Sequence, residues 1–241
     1  MNTVMDDAQT IAELRKRFIS GEPFSFTRFG DADLFFMDDP NFKLNRRHDP
    51  HPQMSVELQQ AFKIDDTAYM IACVAGGNVF GKYEKKLIEI ASEYHSDRTY
   101  YSAICIHELY VADPDKFIDF VKTCFHGKKV AMVGGKAVCE DPLVRKVFNI
   151  SECVPLTDRN AYVHLKGNMG KIKRLAAESD VLISALGQTT RVLAKRLWQN
   201  DYRDIQYFDV GSTVDALAGR PLRSWIRRHA DRRAIYHKAF S

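Results

Sequence analysis

The segment Arg28-Phe29-Gly30-Asp31-Ala32-Asp33 sets a guanidinium, a glycine and two carboxylates side by side. Carboxylates two positions apart on a turn can share a divalent cation. An oxygen-only pair suits Mg²⁺ or Mn²⁺, which keep waters and take further ligands from substrate phosphates. The planar fork of Arg28 matches a phosphate. Just upstream, Phe24 to Thr27 is aromatic and β-branched and reads as a short strand. Ligands of open α/β sheets sit beyond the carboxyl ends of strands, so the stretch reads as a nucleotide-diphosphate site. The same aspartates could instead cap a helix or close a turn.

Such a cluster needs a scaffold to present it. Ile11, Leu14, Phe18 and Ile19 fall at helical spacing, and Gly21-Glu22-Pro23 ends that helix ahead of the first strand. Asp38 to Gln53 reads as a long loop carrying Arg46, Arg47, His48 and His51, and Ser55 as the cap of a helix reaching Phe62. Near-continuous apolar runs predict strands at Ala68–Val74, Thr99–Ile104, Lys129–Val133, Val154–Leu156, Asp180–Ala185 and Ile205–Val210. Amphipathic stretches between them, including Tyr83–Tyr94, Asp115–Phe125 and Val192–Trp198, predict helices. The alternation implies an α/β, mostly parallel sheet of six to seven strands with helices on both faces. Polar or glycine residues stand at the strand ends: Arg28, Gly30, Asp31 and Asp33; Gly76 and Asn78; Gly134 and Gly135, read either as a donor contact or as a tight strand-to-helix turn; Asp158 and Asn160; Gly187, Gln188 and Thr189; Asp209 and Gly211. Their convergence on one rim predicts a single site. No P-loop or G-x-G-x-x-G pattern occurs.

RFGDADLFF resembles the RFGDGE-type segment near the start of glycosyltransferases with the GT-D fold. VPLTDRNAY (Val154–Tyr162) resembles that family's strand ending in a proline and an Asn-Ala pair. ISALGQTTRVLAKRL (Ile183–Leu197) is similar to its strand, Gly-x-Thr turn and helix, and YFDVGSTVDAL (Tyr207–Leu217) to its closing Asp-x-Gly strand end. The resemblance implies a Rossmann-like domain over 1–218 and metal-dependent transfer from a nucleotide sugar, with a UDP-sugar expected. Asp31 and Asp33 would hold Mn²⁺ or Mg²⁺, with Arg28, Gly187 and Thr189 close to the diphosphate. Asp158 and Asp209 are the candidates for the general base of an inverting reaction. Ala32 replaces the family's glycine, and Asp33 its longer Glu.

The 241-residue chain is 45% hydrophobic and 27% charged, ordinary for a globular protein. It shows no run apolar enough to span a bilayer and no secretory signal, so a cytoplasmic place is expected. The five cysteines lack Cys-x-x-Cys spacing and are expected as buried thiols in a reducing compartment. Residues 219–241 carry seven Arg or Lys against one Asp, a net +6 on a chain of +4. This basic extension is expected to pack on the domain, with Leu222, Trp225 and Ile226 inward, and predicts an anionic partner, with Arg223, Arg227 and Arg228 as acceptor contacts. The acceptor hydroxyl would belong to a glycan, a lipid-linked sugar or a modified DNA base. Two other readings fit the same residues. One is a different metal-dependent nucleotide-processing enzyme using the Asp pair, and the other a non-catalytic nucleic-acid or polyanion-binding protein using the tail.

Overall fold

A computed structural model describes residues 3–39, 51–74, 89–157, 159–200 and 202–241. Arg46, Arg47, His48, Gly76, Asn78 and Asp158 lie outside them. The first half runs β1 (Thr3–Val4), α1 (Asp7–Ser20), β2 (Phe24–Arg28), α2 (Asp31–Asp38), α3 (Pro52–Phe62), β3 (Tyr69–Val74), α4 (described part 89–94), β4 (Thr99–Ser102), α5 (Cys105–Ala112) and α6 (Pro114–Phe125). The second half runs β5 (Val130–Gly135), α7 (Lys136–Cys139), α8 (Pro142–Val147), β6 (Ile150–Leu156), α9 (Ala161–Ala177), β7 (Val181–Ala185), α10 (Thr189–Trp198), β8 (Gln206–Asp209), α11 (Thr213–Leu217), α12 (Ser224–Arg228) and α13 (Arg232–Ala239).

The strands form one sheet in the order β1-β4-β3-β2-β8-β7-β5-β6. Every described pairing is parallel. Side chains alternate along a strand, and here both faces are apolar. Phe24, Phe26, Met70, Met132, Ile183 and Phe208 enter one core with α1, α5, α6, α8 and α11–α13. Tyr69, Ile71, Ala131, Val133, Leu182 and Tyr207 enter the other with α2, α3, α9 and α10. The helix after β2 therefore goes to one face and the helix after β8 to the other. These strands are neighbours, so a crevice opens beyond their carboxyl ends, the usual place for a ligand.

Several expectations are corrected. The expected parallel sheet is present, with eight strands among the described residues; the added β1 is two residues long and carries no periodicity to read. Helix α3 starts at Pro52 behind His51 rather than at Ser55, because proline at a first turn loses no hydrogen bond. Gly134 and Gly135 are buried and still belong to β5, in register with Pro155 and Leu156, and Gly135 caps α7, which follows at once. A Cβ on Gly134 would fall 2.7 Å from Met132 Cε, so its smallness serves packing. Cys139 and Cys153 form a disulfide joining α7 to β6, with Cα atoms 5.9 Å apart. Cys73, Cys105 and Cys124 are buried thiols. The basic extension does pack on the domain, and more deeply than its expected inward residues imply: besides Ile226, Tyr236 and Phe240 are buried in the first core, and Tyr236 Oη donates to Tyr110 O at 2.6 Å. No described helix is long and apolar enough to cross a membrane.

Candidate functional site

At the crevice two arginines and two aspartates alternate below the surface. Asp209, the last residue of β8, is 1% exposed as a side chain. Its Oδ1 lies 3.6 Å from Arg28 Nε and accepts from Gly211 N at 3.0 Å. Its Oδ2 accepts from Arg28 N at 3.2 Å and lies 3.5 Å from Arg191 Nη1. Arg191 Nη2 in turn lies 3.3 Å from Asp33 Oδ2, which also accepts from Gly30 N at 2.9 Å. The row Arg28–Asp209–Arg191–Asp33 links β2, β8, α10 and α2.

Local structure explains each placement. Gly30 caps α2, and Asp33 at the third helical position turns back onto its N–H, a carboxylate favoured at a helix start. Asp31, in the same first turn, is exposed and accepts from Ala32 N. Gly211 has φ +59, and a Cβ there would lie 1.5 Å from Arg28 Nη2. The missing side chain is thus the space that holds the Arg28 guanidinium. Gly187 (φ +58) turns the chain from β7 into α10. Thr190 Oγ1 fastens that turn by accepting from Leu186 N at 2.8 Å. Arg191 Nη1 donates to Gly187 O at 2.5 Å.

Burial raises the Asp33 carboxyl above its ordinary range, against the pull of Arg191 and the Gly30 N–H. Burial also lowers the Arg28 guanidinium, with Asp209 opposing. For Arg191, burial disfavours the charge, yet Asp33 and Asp209 outweigh it and the value rises. Arg28 also acts on His107 of α5. Burial, then Arg28, His229 and Arg228, push its imidazole down to about 4. Its ring stacks on Trp225 of α12 with centroids 4.2 Å apart.

Arg28, Gly30, Asp33, Gly187, Gln188, Thr189, Asp209 and Gly211 therefore gather at β2, β7 and β8. Gly134, Gly135 and Asn160 stand at the ends of β5 and β6, beyond β7 from that centre. Arg223, Arg227 and Arg228 are exposed on or beside α12. Arg191 and His107 were not singled out from the sequence. For Arg191 a signal existed: a cation in the first turn of a helix opposes the macrodipole, which calls for nearby anions.

The sheet and its charged switch point define a Rossmann-like α/β protein, and two solved structures share its architecture. One is a selenomethionine-substituted structure of domain of unknown function 1792. It matches with a TM-score of 0.66 at 17% identity, over 89% of this chain and 79% of that one. The other is described as showing that the highly conserved domain of unknown function 1792 has a distinct glycosyltransferase fold. It matches with a TM-score of 0.67 at 17% identity, over 98% of this chain and 82% of that one. No family model matches the sequence, and no curated protein does. The chain has a glycosyltransferase-like fold.

Proposed function

We propose that the crevice at β2, β7 and β8 binds the diphosphate of a nucleotide sugar, a UDP-sugar being expected. The sugar then passes to an acceptor hydroxyl with the help of Mn²⁺ or Mg²⁺. One observation carries this reading. Arg28 Nε, Asp33 Oδ1, Gln188 Oε1, Thr189 Oγ1, Arg191 Nε and Thr213 Oγ1 are buried without hydrogen-bond partners among the described residues. Buried polar groups are nearly always paired, so their concentration at one strand-end crevice marks a place shaped for a polar ligand. The fold of the similar structures supports the same class.

A divalent cation held at the start of α2 is the further part of this proposal. Asp33 Oδ1 has no hydrogen-bond partner among the described residues, and Asp31 offers an exposed carboxylate two residues earlier. Completed by water and phosphate oxygens, that is a donor set for Mg²⁺ or Mn²⁺. When bound, the ion offsets charge developing on the leaving diphosphate. Around it Thr189 and the α10 N-terminus donate to phosphate oxygens, and Arg28 adds positive charge. Asp209 has both oxygens committed to Arg28, Arg191 and Gly211 N–H, so it positions the arginines rather than taking the acceptor proton. Asp158 is left as the base candidate from the sequence. Trp225 of α12 stacks on His107, whose imidazole feels Arg28, and this supports an anionic acceptor, glycan or DNA, approaching over Arg223, Arg227 and Arg228.

Nucleotide release from a panel of UDP- and other nucleotide sugars, with Mn²⁺ or with chelator, tests the reading. Asp31→Asn and Asp33→Asn should each abolish turnover while the circular dichroism spectrum stays unchanged. Near wild-type turnover in both would reduce the pair to a turn. Salt-sensitive DNA binding that survives Asp31→Asn, without donor turnover, would favour the polyanion-binding alternative.

A further inference from the structure

The row of alternating charges contains one group with two uses. Arg191 is 8% exposed, and its fork is shared between Asp33 Oδ2 at 3.3 Å and Asp209 Oδ2 at 3.5 Å. Its Nε has no hydrogen-bond partner among the described residues. It stands in the first turn of the ten-residue helix α10, behind Thr189, whose buried hydroxyl is likewise without a partner. A guanidinium gains most from bidentate phosphate oxygens, whereas here its two carboxylates lie at ion-pair rather than close hydrogen-bond distances.

Resting on the nucleotide-sugar reading, we propose that Arg191 is a latched anion clamp. Asp33 and Asp209 hold its fork, and an arriving diphosphate takes the fork over. Transfer of the fork frees Asp33 Oδ2 at the moment the diphosphate is in place. Asp33 then restrains Arg191 as well as belonging to the candidate metal pair. Gly187 O, accepting from Nη1 at 2.5 Å, keeps the fork against the turn that the phosphates would meet. The latch gives the two carboxylates a counter-charge, which buried carboxylates require.

The test is calorimetric titration of inorganic pyrophosphate into the full chain in chelator-containing buffer, so that metal plays no part. Arg191→Gln should weaken binding by roughly 10- to 100-fold, the worth of charge-assisted hydrogen bonds, with Arg191→Lys in between. Asp33→Asn should have the opposite sign, tightening binding by several-fold because the fork is unlatched. In the Arg191→Gln background that gain should vanish, as coupling through Arg191 demands. Wild-type affinity in Arg191→Gln overturns the clamp. So does an Asp33→Asn gain that persists without Arg191, since that would be a general charge effect. If Arg191→Gln does not fold, Asp33→Asn and Arg191→Lys decide by the same signs. Failure of the wild-type chain to bind pyrophosphate, or any nucleoside diphosphate, overturns the diphosphate reading itself.

Discussion

Replacing Gly211 by alanine perturbs the site without touching a charged residue. A side chain at φ +59 costs about 1–2 kcal/mol in the left-handed region. The new Cβ would lie 1.5 Å from Arg28 Nη2, 2.3 Å from Cζ and 3.0 Å from Nη1, so the whole guanidinium must leave. A long side chain can swing, but Arg28 then loses Asp209 at 3.6 Å. Breaking a buried pair outright costs ~3–5 kcal/mol, and here Asp209 keeps Arg191 and two backbone N–H donors, which holds that loss to roughly 1–2 kcal/mol. The sum, about 2–4 kcal/mol, corresponds to a melting temperature lower by roughly 5–12 °C for a chain of this size. The assay is urea unfolding of Gly211→Ala, Arg28→Ala and the double variant. If the cost runs through Arg28, the glycine substitution in the Arg28→Ala background costs only the backbone part, about 1–2 kcal/mol. Equal cost in both backgrounds would refute the reasoning and leave Gly211 a turn residue alone.

Three further outcomes follow from other contacts. Glu57 is opposed by burial, but Arg196 at 2.6 and 2.8 Å, Tyr162 at 2.7 Å and Lys195 at 3.4 Å more than offset it and hold its carboxyl at about 2. A depressed carboxyl stabilises the fold above its unfolded value near 4.5 and loses that contribution as pH falls toward 2. Glu57→Gln should therefore cost about 2–3 kcal/mol at neutral pH and flatten the stability profile across that window; a profile with wild-type slope would contradict this. Gly187→Val should weaken nucleotide-sugar binding more than stability, because a β-branched residue resists φ +58 at the turn facing the diphosphate; unchanged donor affinity with a lowered melting temperature would make Gly187 purely structural. Replacing Arg227, Arg228, Arg232 and Arg233 by Gln should spare donor hydrolysis and flatten the salt dependence of anionic-acceptor binding by roughly one unit of slope per lost phosphate contact; normal acceptor binding at every salt concentration would make the tail a solvated face.

The sheet was legible because a strand covered on both faces writes an unbroken apolar run, as Tyr69 to Val74 and Val181 to Ala185 do. The rim was legible for a related reason: a parallel sheet puts every strand's carboxyl end on one side, so Arg28, Gly187 and Asp209 had to converge. Depth was not legible. Nothing in spacing separates Asp31, exposed, from Asp33, buried beneath Arg191. Gly211 was read as a possible ligand contact, whereas its open space belongs to Arg28. Nor does a separation of 14 residues announce a disulfide, since the pairing of Cys139 with Cys153 follows from β5 and β6 lying side by side. The tail read as an extension because its charge is conspicuous; of the residues that bury it, Ile226 was legible, while Tyr236 and Phe240 are widely spaced among charged neighbours.

The central claim is that the charged crevice at β2, β7 and β8 receives a metal-bound nucleoside diphosphate. Crystals of the full chain grown with Mn²⁺ and UDP, measured at the manganese absorption edge, address it most directly. An anomalous peak is expected at about 2.0–2.2 Å from carboxylate oxygens of Asp31 and Asp33, with the diphosphate against Thr189 and the Gly187 turn. UDP and manganese bound together at some other place, with Arg28, Asp209, Arg191 and Asp33 still paired as described, would contradict it.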